Sequence, residues 1–170
     1  MSEPSCISSF QGPIQAWLRP GQWCFGVRAI RQGEERWACG CSRQQLVDGL
    51  EAVVASAQLN ALANTRKVRM GKVKEDFSFV RIESYTASAE WLDVTEFHIE
   101  SAGDGVSVRV KSFSSGFTPT CVPLAPLLSA VCFWVPFSDY GPQGSLNKLR
   151  IKEIREQLTK DGLVPSITVA

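Results

Sequence analysis

The sequence predicts an α+β domain in which two helices pack on one face of an antiparallel β-sheet, together with an N-terminal β-hairpin. Two observations predict it: apolar residues alternate with polar ones over residues 76–112, and a capped helix pattern stands on either side of that region. At 170 residues, with 44% hydrophobic and 21% charged residues, the composition is that of a single globular domain. We assign residues 1–21 to an N-terminal arm, 22–162 to the domain and 163–170 to a C-terminal tail.

The strands are predicted from alternation and from turn residues. In the N-terminal hairpin, WCFGVRAIRQ is the first strand, QGEE at 32–35 the turn and RWACGC the second strand. Three more strands follow in FSFVRIESYTAS, AEWLDVTEFHIES and VSVRVKSFSS. Asp104-Gly105 predicts a tight turn between the last two of them.

Both helices carry start signals. Ser42 and Gln45 have the spacing of a capping box, in which a hydroxyl and an amide satisfy the free N–H groups of the first turn. Ser145 is the predicted N-cap of the second helix, and Gly162 stands at its C-terminal stop. The predicted inward positions are Leu46, Leu50, Val53, Val54, Ala57, Leu146, Ile151, Ile154 and Leu158.

Five cations lie close together in TRKVRMGKVK: Arg66, Lys67, Arg69, Lys72 and Lys74. One interpretation is a charged edge strand or loop that discourages pairing between sheets. The other is a patch that binds phosphate or anionic lipid. The stretch has no interleaved aromatic residues for base stacking and the net charge is only +1, so we expect no nucleic-acid partner.

Residues 112–138 contain no acid, base or histidine, and four prolines interrupt them. The prolines argue against a membrane-spanning helix. Two interpretations stay open for the Pro-rich part at 116–136: packing in the core, or an exposed surface for a membrane, a protein partner or a second copy. The residues predicted for that surface are Leu127, Leu128, Phe133, Trp134 and Phe137. In the N-terminal arm, Phe10, Ile14, Trp17 and Leu18 are predicted to anchor the arm on the domain.

Four short motifs occur in order: CISS at 6–9, WLDVTEF at 91–97, VKSFSS at 110–115, and FSDYG at 137–141 with Asn147-Lys148-Leu149-Arg150 after it. In this the chain resembles the family known as domain of unknown function 1499, as a eukaryotic-type member with an apolar insertion at 116–136. Val94 stands where that family has an aspartate and Ser115 where it has an arginine. The resemblance implies a fold and a site location, and no reaction.

The predicted ligand site combines hydroxyls, carboxylates, an amide and a guanidinium, a set suited to a polar or anionic head group. Its residues are Asp93, Ser112, Ser114, Ser138, Asp139, Asn147 and Arg150. The alternative interpretation is structural, with Ser138 and Asp139 in a turn and Arg150 paired with an acid of the sheet.

Other chemistry has little support in the sequence. His98 is the one histidine, and its position in an alternating strand favours a structural role over a general base. The Cys39-Gly40-Cys41 pair lacks a second pair for zinc, so free buried cysteines, no metal and no cofactor are expected. There is no basic and apolar leader at the N-terminus, which favours a cytoplasmic protein that is peripheral to a membrane at most.

The leading hypothesis is a non-enzymatic domain that binds an amphipathic or lipid-like ligand or a membrane surface. A second hypothesis is an enzyme acting on a small polar or anionic substrate through Ser138, Asp139 and Arg150. A third is a protein-interaction or homo-oligomer module that uses the apolar insertion.

Overall fold

The computed structural model describes residues 3–19, 32–56, 59, 65–87, 89–116, 118–132, 140–141 and 144–165. Four helices lie in these ranges: α1 (Cys6–Leu18), α2 (Arg43–Ala55), α3 (Ala125–Val131) and α4 (Leu146–Lys160). The strands are β1 (Gln32–Cys39), β2 (Thr65–Val73), β3 (Phe79–Thr86), β4 (Leu92–Ala102), β5 (Gly105–Ser114), β6 (Tyr140–Gly141) and β7 (Gly144–Ser145).

The first five strands form one antiparallel sheet in the order β1-β5-β4-β3-β2, and β6 and β7 form a separate two-stranded ribbon. The β4–β5 hairpin turns at Gly103, which has a φ of +57°, and Asp104. The ladder from Asp93–Ser114 to Ala102–Gly105 is continuous, so successive residues of these strands alternate between the two faces of the sheet.

One side of the sheet, called here the core face, packs against α2 and α4. It carries Trp37, Phe97 and Val108 at neighbouring positions, and all three are buried. The side chains that the two helices place against it are Leu46, Val47, Leu50, Val53, Ile151, Ile154 and Leu158. This is the main hydrophobic core, in which each large side chain contributes roughly 1.5–3 kcal/mol when it is fully buried.

The other side, called the outer face, is mostly charged. Its end near Tyr85, Leu92 and Phe113 is apolar, and Ala16 of α1 packs there. Helix α1 in turn packs against α3, the short helix that follows β5. The domain therefore has two helices on the core face and a second pair at one end of the outer face.

The predicted α+β class and antiparallel sheet are confirmed. Ser42 and Gln45 form the predicted capping box, Ser145 accepts a hydrogen bond from the Lys148 N–H as the N-cap of α4, and Gly162 has a φ of +73°. The basic stretch forms β2, which is an edge strand of the sheet. This agrees with one of the two interpretations of that stretch.

Several details of the prediction need correction. The predicted QGEE turn at 32–35 lies inside β1, because Gln32 to Cys39 pair continuously with β5. The first strand of the predicted hairpin lies outside the described residues, so the hairpin itself stays a prediction. Val164, assigned to the tail, is buried in the core, and residues 6–18 of the predicted arm form α1.

Candidate functional site

Five of the seven residues predicted for the ligand site lie together where α4 begins on the core face. Ser112 Oγ donates a hydrogen bond to Asn147 Oδ1 at 2.9 Å, and Asn147 Nδ2 donates to Ser114 Oγ at 3.2 Å. Arg150 donates to the carboxylate of Asp93. The register of β4 and β5 places Asp93 opposite Ser114, so the strands and the first turn of α4 bring these side chains together.

These five residues are all buried, and they bond mainly to one another. Such a network stabilises the attachment of α4 to the sheet, because each buried polar group needs a partner. Arg150 is the exception: within the described part of the chain its Nε and Nη2 atoms have no hydrogen-bond partner. The remaining two predicted residues, Ser138 and Asp139, lie outside the described residues, so their convergence with this group stays a prediction.

Helix α1 is amphipathic in the opposite sense to an ordinary surface helix. Its large apolar side chains, spaced three and four residues apart, point away from the sheet: Ile7, Phe10, Ile14 and Trp17. Phe10 is 73% exposed and Trp17 is 74% exposed. The residues that it buries are small or polar: Ser8, Gln11, Gly12, Gln15 and Ala16.

Helix α3 repeats the arrangement. It buries Ala125, Pro126 and Ser129. The exposed residues of α3 and of the position before it are Leu124, Leu127, Leu128 and Val131, of which Leu127 is 58% exposed. Part of the Pro-rich segment is therefore an exposed surface, as one of the two interpretations held.

The eight exposed residues of the two helices are called here the apolar surface: Ile7, Phe10, Ile14, Trp17, Leu124, Leu127, Leu128 and Val131. A groove of about 380 Å³ lies between the helices and is lined by Cys6, Ile7, Phe10, Gln11, Pro123 and Leu124. The surface comes from the two longest runs of the sequence without acid, base or histidine, residues 4–18 and 112–138. Contiguous exposed apolar residues of this kind mark an interaction site.

Polar contacts hold the two helices in this orientation. Gln11 Nε2 donates to the Thr120 and Val122 carbonyls at 3.0 and 2.7 Å. Gln15 Nε2 donates to the Thr118 carbonyl at 3.1 Å. Because both amides bond to the chain that leads into α3, the helices are coupled to each other.

Two glycines allow the close approach of these layers. A Cβ atom on Gly12 would lie 2.7 Å from Tyr85 Oη and 3.2 Å from a Leu92 methyl group. A Cβ atom on Gly116 would lie 2.5 Å from Ser129 Oγ and 2.6 Å from Gln15 Nε2. Larger side chains at these positions would push α1 off the sheet or α3 off α1.

Glu90 ties the start of α1 to the sheet. Its carboxylate accepts hydrogen bonds from the Ser5 N–H, from the Ser5 and Ser8 hydroxyls and, at 2.8 Å, from Arg66 Nη1. Burial alone would raise the pKa of Glu90, but the bonds from Ser8 and Ser5 and the charge of Arg66 outweigh it and hold the pKa below the ordinary 4.5. An ionised carboxylate at a helix N-terminus is also favoured by the helix dipole.

Cations border the apolar surface at both ends of α1. Arg66 and Lys67 lie at its start, where Lys67 Nζ contacts Glu3 at 2.6 Å. Arg19 lies at its end and pairs with the buried Glu96. All three cations keep roughly a third of the side chain exposed.

Among the residues predicted for a membrane or partner surface, the structure places Leu127 and Leu128 on the apolar surface. Phe133, Trp134 and Phe137 lie outside the described residues. The prediction that Phe10, Ile14 and Trp17 anchor the arm is wrong, because these side chains point away from the domain. The spacing of Ile7, Phe10, Ile14 and Trp17 was the signal for a helix, and Gly12-Pro13 in its middle obscured it.

His98 and Cys39, which the sequence offered as candidates for other chemistry, lie in structural positions. His98 is partly exposed on the outer face, and its ring packs edge-on against Phe79. Burial raises the pKa of the Cys39 thiol to about 11, which makes it unreactive near neutral pH. In the ranges that the structure describes, no group of three His, Cys, Asp or Glu residues has the arrangement of a metal site.

No family model matches the chain, and no curated protein matches it, so the resemblance to domain of unknown function 1499 stays a prediction. Solved structures with a similar course of the chain include CV1439 from Chromobacterium violaceum, at 9% identity and a TM-score of 0.36, covering 71% of this chain and 96% of that one. TTHA0849 from Thermus thermophilus has 9% identity and a TM-score of 0.31, covering 76% and 98%. Ara h 8.0201 has 11% identity and a TM-score of 0.35, covering 76% and 97%. Likenesses this weak carry no information on ligand or reaction.

Proposed function

We propose that the protein is a peripheral membrane-binding domain that docks on anionic bilayers through the apolar surface of α1 and α3. The observation that carries the proposal is the inverted polarity of both helices, which bury small and polar side chains and expose eight large apolar ones. A helix with an apolar side, interfacial aromatic residues and flanking cations is the pattern of an element that lies in the membrane interface.

The charge distribution favours a bilayer over a second protein. The outward side of both helices offers no charged side chain, whereas stable protein interfaces usually include a polar rim with direct hydrogen bonds. Trp17 and Phe10 are suited to the headgroup level, where aromatic rings concentrate. Arg66, Lys67 and Arg19 lie at the two ends of α1, and each is paired with an acidic side chain but stays partly exposed, so they add a weak attraction to anionic headgroups.

The size of the apolar surface is sufficient for reversible binding. Full burial of a large apolar side chain contributes roughly 1.5–3 kcal/mol, and these eight are about half exposed, so their transfer is worth on the order of 6–12 kcal/mol before the costs of association. None of the helices in the described part of the chain has the length and hydropathy of a membrane span. Docking would therefore occur from one side of the bilayer.

Vesicle co-sedimentation tests the proposal. The wild type should pellet with phosphatidylcholine–phosphatidylserine vesicles, and the Phe10→Ala/Trp17→Ala variant should stay in the supernatant. Because both rings are about three-quarters exposed, the variant should keep the unfolding temperature of the wild type. Gln44→Ala changes an exposed, neutral side chain of α2 and is the matched control that should pellet normally.

The possible results distinguish a bilayer from a second copy of the chain as the partner of the apolar surface. Equal pelleting of the wild type and Phe10→Ala/Trp17→Ala overturns the proposal, as does the absence of wild-type binding. If sedimentation velocity instead shows a dimer that Phe10→Ala/Trp17→Ala converts to a monomer, while vesicles bind neither protein, the surface is an interface between copies of the chain.

A further inference from the structure

A polar cavity of about 120 Å³ opens on the outer face near the β4–β5 turn. It is lined by Arg36 of β1, Ser107 and Arg109 of β5, and His98 and Glu100 of β4. The cavity belongs to three adjacent strands of one rigid sheet and is distinct from the apolar surface. Its volume admits a few water-sized groups and no extended ligand.

The strand register places three nitrogen-bearing side chains in a single row across this cavity. Arg36 is directly opposite Arg109 in the β1–β5 ladder, and His98 is directly opposite Arg109 in the β4–β5 ladder. Opposite residues of antiparallel strands have Cβ atoms roughly 5 Å apart. The backbone therefore holds the attachment points of two arginine side chains and one histidine side chain next to one another on the same face.

Such a row opposes the stability of the sheet, because like charges directly opposite each other repel. Other arginines of the sheet are neutralised: Arg69 pairs with Glu83, and Arg81 pairs with Glu96. Within the described residues, neither Arg36 nor Arg109 has an acidic group within the 4.0 Å of an ion pair, although Glu100 is among the residues that line the cavity.

The positive charges around His98 favour the binding of an anion to this row. Its ring faces Glu96 at 3.9 Å, while the cations Arg109, Arg19 and Lys111 lie on the other elements around it. Burial and these cations hold the pKa of His98 below its ordinary 6.5 in spite of Glu96. A bound anion would reverse this balance by stabilising the imidazolium form.

We propose that Arg36, Arg109 and His98 form a binding site for a phosphate monoester or free phosphate. Guanidinium groups bind phosphate oxygens through two parallel N–H donors, and the Ser107 hydroxyl supplies a further hydrogen bond. The phosphate comes from a small soluble molecule or from a lipid headgroup. The site does not depend on the membrane-binding proposal, since it uses other residues at the other end of the outer face.

The test uses the full chain and inorganic phosphate. His98 is the only histidine, so its ring signals in NMR spectra are assigned without ambiguity. Phosphate added at constant ionic strength should shift these signals in a saturable manner and raise the pKa of His98. The Arg36→Gln/Arg109→Gln variant should bind at least about tenfold more weakly, because a charge-assisted hydrogen bond contributes more than a factor of ten in affinity.

The matched control is Lys148→Gln/Lys152→Gln, which removes two exposed positive charges from α4 on the opposite side of the sheet. It should bind phosphate as the wild type does. The proposal is overturned if phosphate leaves the His98 signals unchanged, or if both double variants respond equally. Chloride at the same ionic strength should give no saturable shift.

Two further arms identify the source of the phosphate. If glycerol 3-phosphate competes with inorganic phosphate and Arg36→Gln/Arg109→Gln pellets normally with phosphatidic-acid vesicles, the ligand is a soluble phosphate monoester. If that variant pellets more weakly than the wild type with phosphatidic-acid vesicles and equally well with phosphatidylserine vesicles, the ligand is a lipid headgroup. Both results support the phosphate site, and a loss of all vesicle binding in Phe10→Ala/Trp17→Ala leaves it unaffected.

Discussion

Helices α4 and α1 pack on opposite faces of the same sheet and differ in which side they bury. Helix α4 places Ile151, Ile154 and Leu158 against the sheet and, apart from the buried Arg150, leaves its charged residues fully or partly exposed. Helix α1 places small and polar residues against the sheet and leaves Phe10 and Trp17 exposed. Hydrophobic burial and a buried polar network thus fix α4. Shape and hydrogen bonds fix α1, and its apolar side is left for a second, external contact.

The largest expected difference is in the free energy of unfolding, when an apolar residue is truncated in one region or in the other. Leu158→Ala should lower the free energy of unfolding by about 2–5 kcal/mol, because it leaves a cavity between α4 and the sheet. Leu127→Ala on α3 removes the same atoms from an exposed position. It should change the free energy of unfolding by less than about 0.5 kcal/mol. Urea unfolding of both variants is the measurement, and equal losses would show that the apolar surface is part of the core.

The next effect concerns the close contact of α1 with the sheet. Gly12→Ala should destabilise the protein by about 1–3 kcal/mol, because the added methyl group would collide with Tyr85 Oη and Leu92. Gly40→Ala adds the same group where no atom lies within 4 Å and serves as the control. Hydrogen exchange should show faster exchange in α1 of Gly12→Ala, and unchanged exchange there would contradict the packing argument.

Acid should release α1 before it unfolds the core face. The native pKa of Glu90 lies below 4.5, so the carboxylate contributes its full stabilisation above about pH 4.5 and loses it as the pH falls through the lowered native value. Glu90→Gln should cost about 1–3 kcal/mol at neutral pH, since it weakens the bonds to Ser5, Ser8 and Arg66. It should also make the free energy of unfolding depend less on pH at acidic pH, in the acid limb of the stability profile. An acid limb identical to that of the wild type would assign this pH dependence to another group.

The smallest expected effect is that of surface charge on vesicle binding. Lys67→Gln should weaken pelleting with anionic vesicles only slightly, by less than the roughly 1 kcal/mol of an unpaired surface lysine, because Glu3 already neutralises Lys67. Added salt should likewise have a modest effect compared with Phe10→Ala/Trp17→Ala. Salt that abolishes binding altogether would show that charge, and not the apolar surface, drives docking. Co-sedimentation over a salt series measures both.

The sequence predicted the elements of the core face well because their signals are local. The Ser42–Gln45 capping box depends on residues three positions apart, and the alternation along β5 depends on the pleat of a single strand. The grouping of Asn147 and Arg150 with Asp93 and the serines of β5 was also predicted. Their mutual burial was not, because burial depends on how closely α4 approaches the sheet.

The apolar surface was predicted in part. The uncharged composition of residues 116–136 predicted an interaction surface or a core segment, and Leu127 and Leu128 are exposed. For α1, the Gly12-Pro13 pair in the middle of the run favours an arm over a helix, whereas the structure has a helix there with Ser5 as its N-cap. The phosphate site was not predicted, since Arg36, His98 and Arg109 are distant in sequence and meet only through the strand register.

The sequence by itself determined which residues are apolar, where α2, α4, β4 and β5 form and that successive residues of β4 and β5 alternate between the two faces of the sheet. Chain geometry and caps decide these features because they act over a few residues. Only the tertiary structure decided which side of α1 faces the sheet. A stripe of Ile7, Phe10, Ile14 and Trp17 is as suitable for a core as for a membrane when it is read alone. The narrow space over Tyr85 and Leu92 accepts Gly12 and Ala16 and excludes larger side chains, and this steric limit turns the apolar stripe outward.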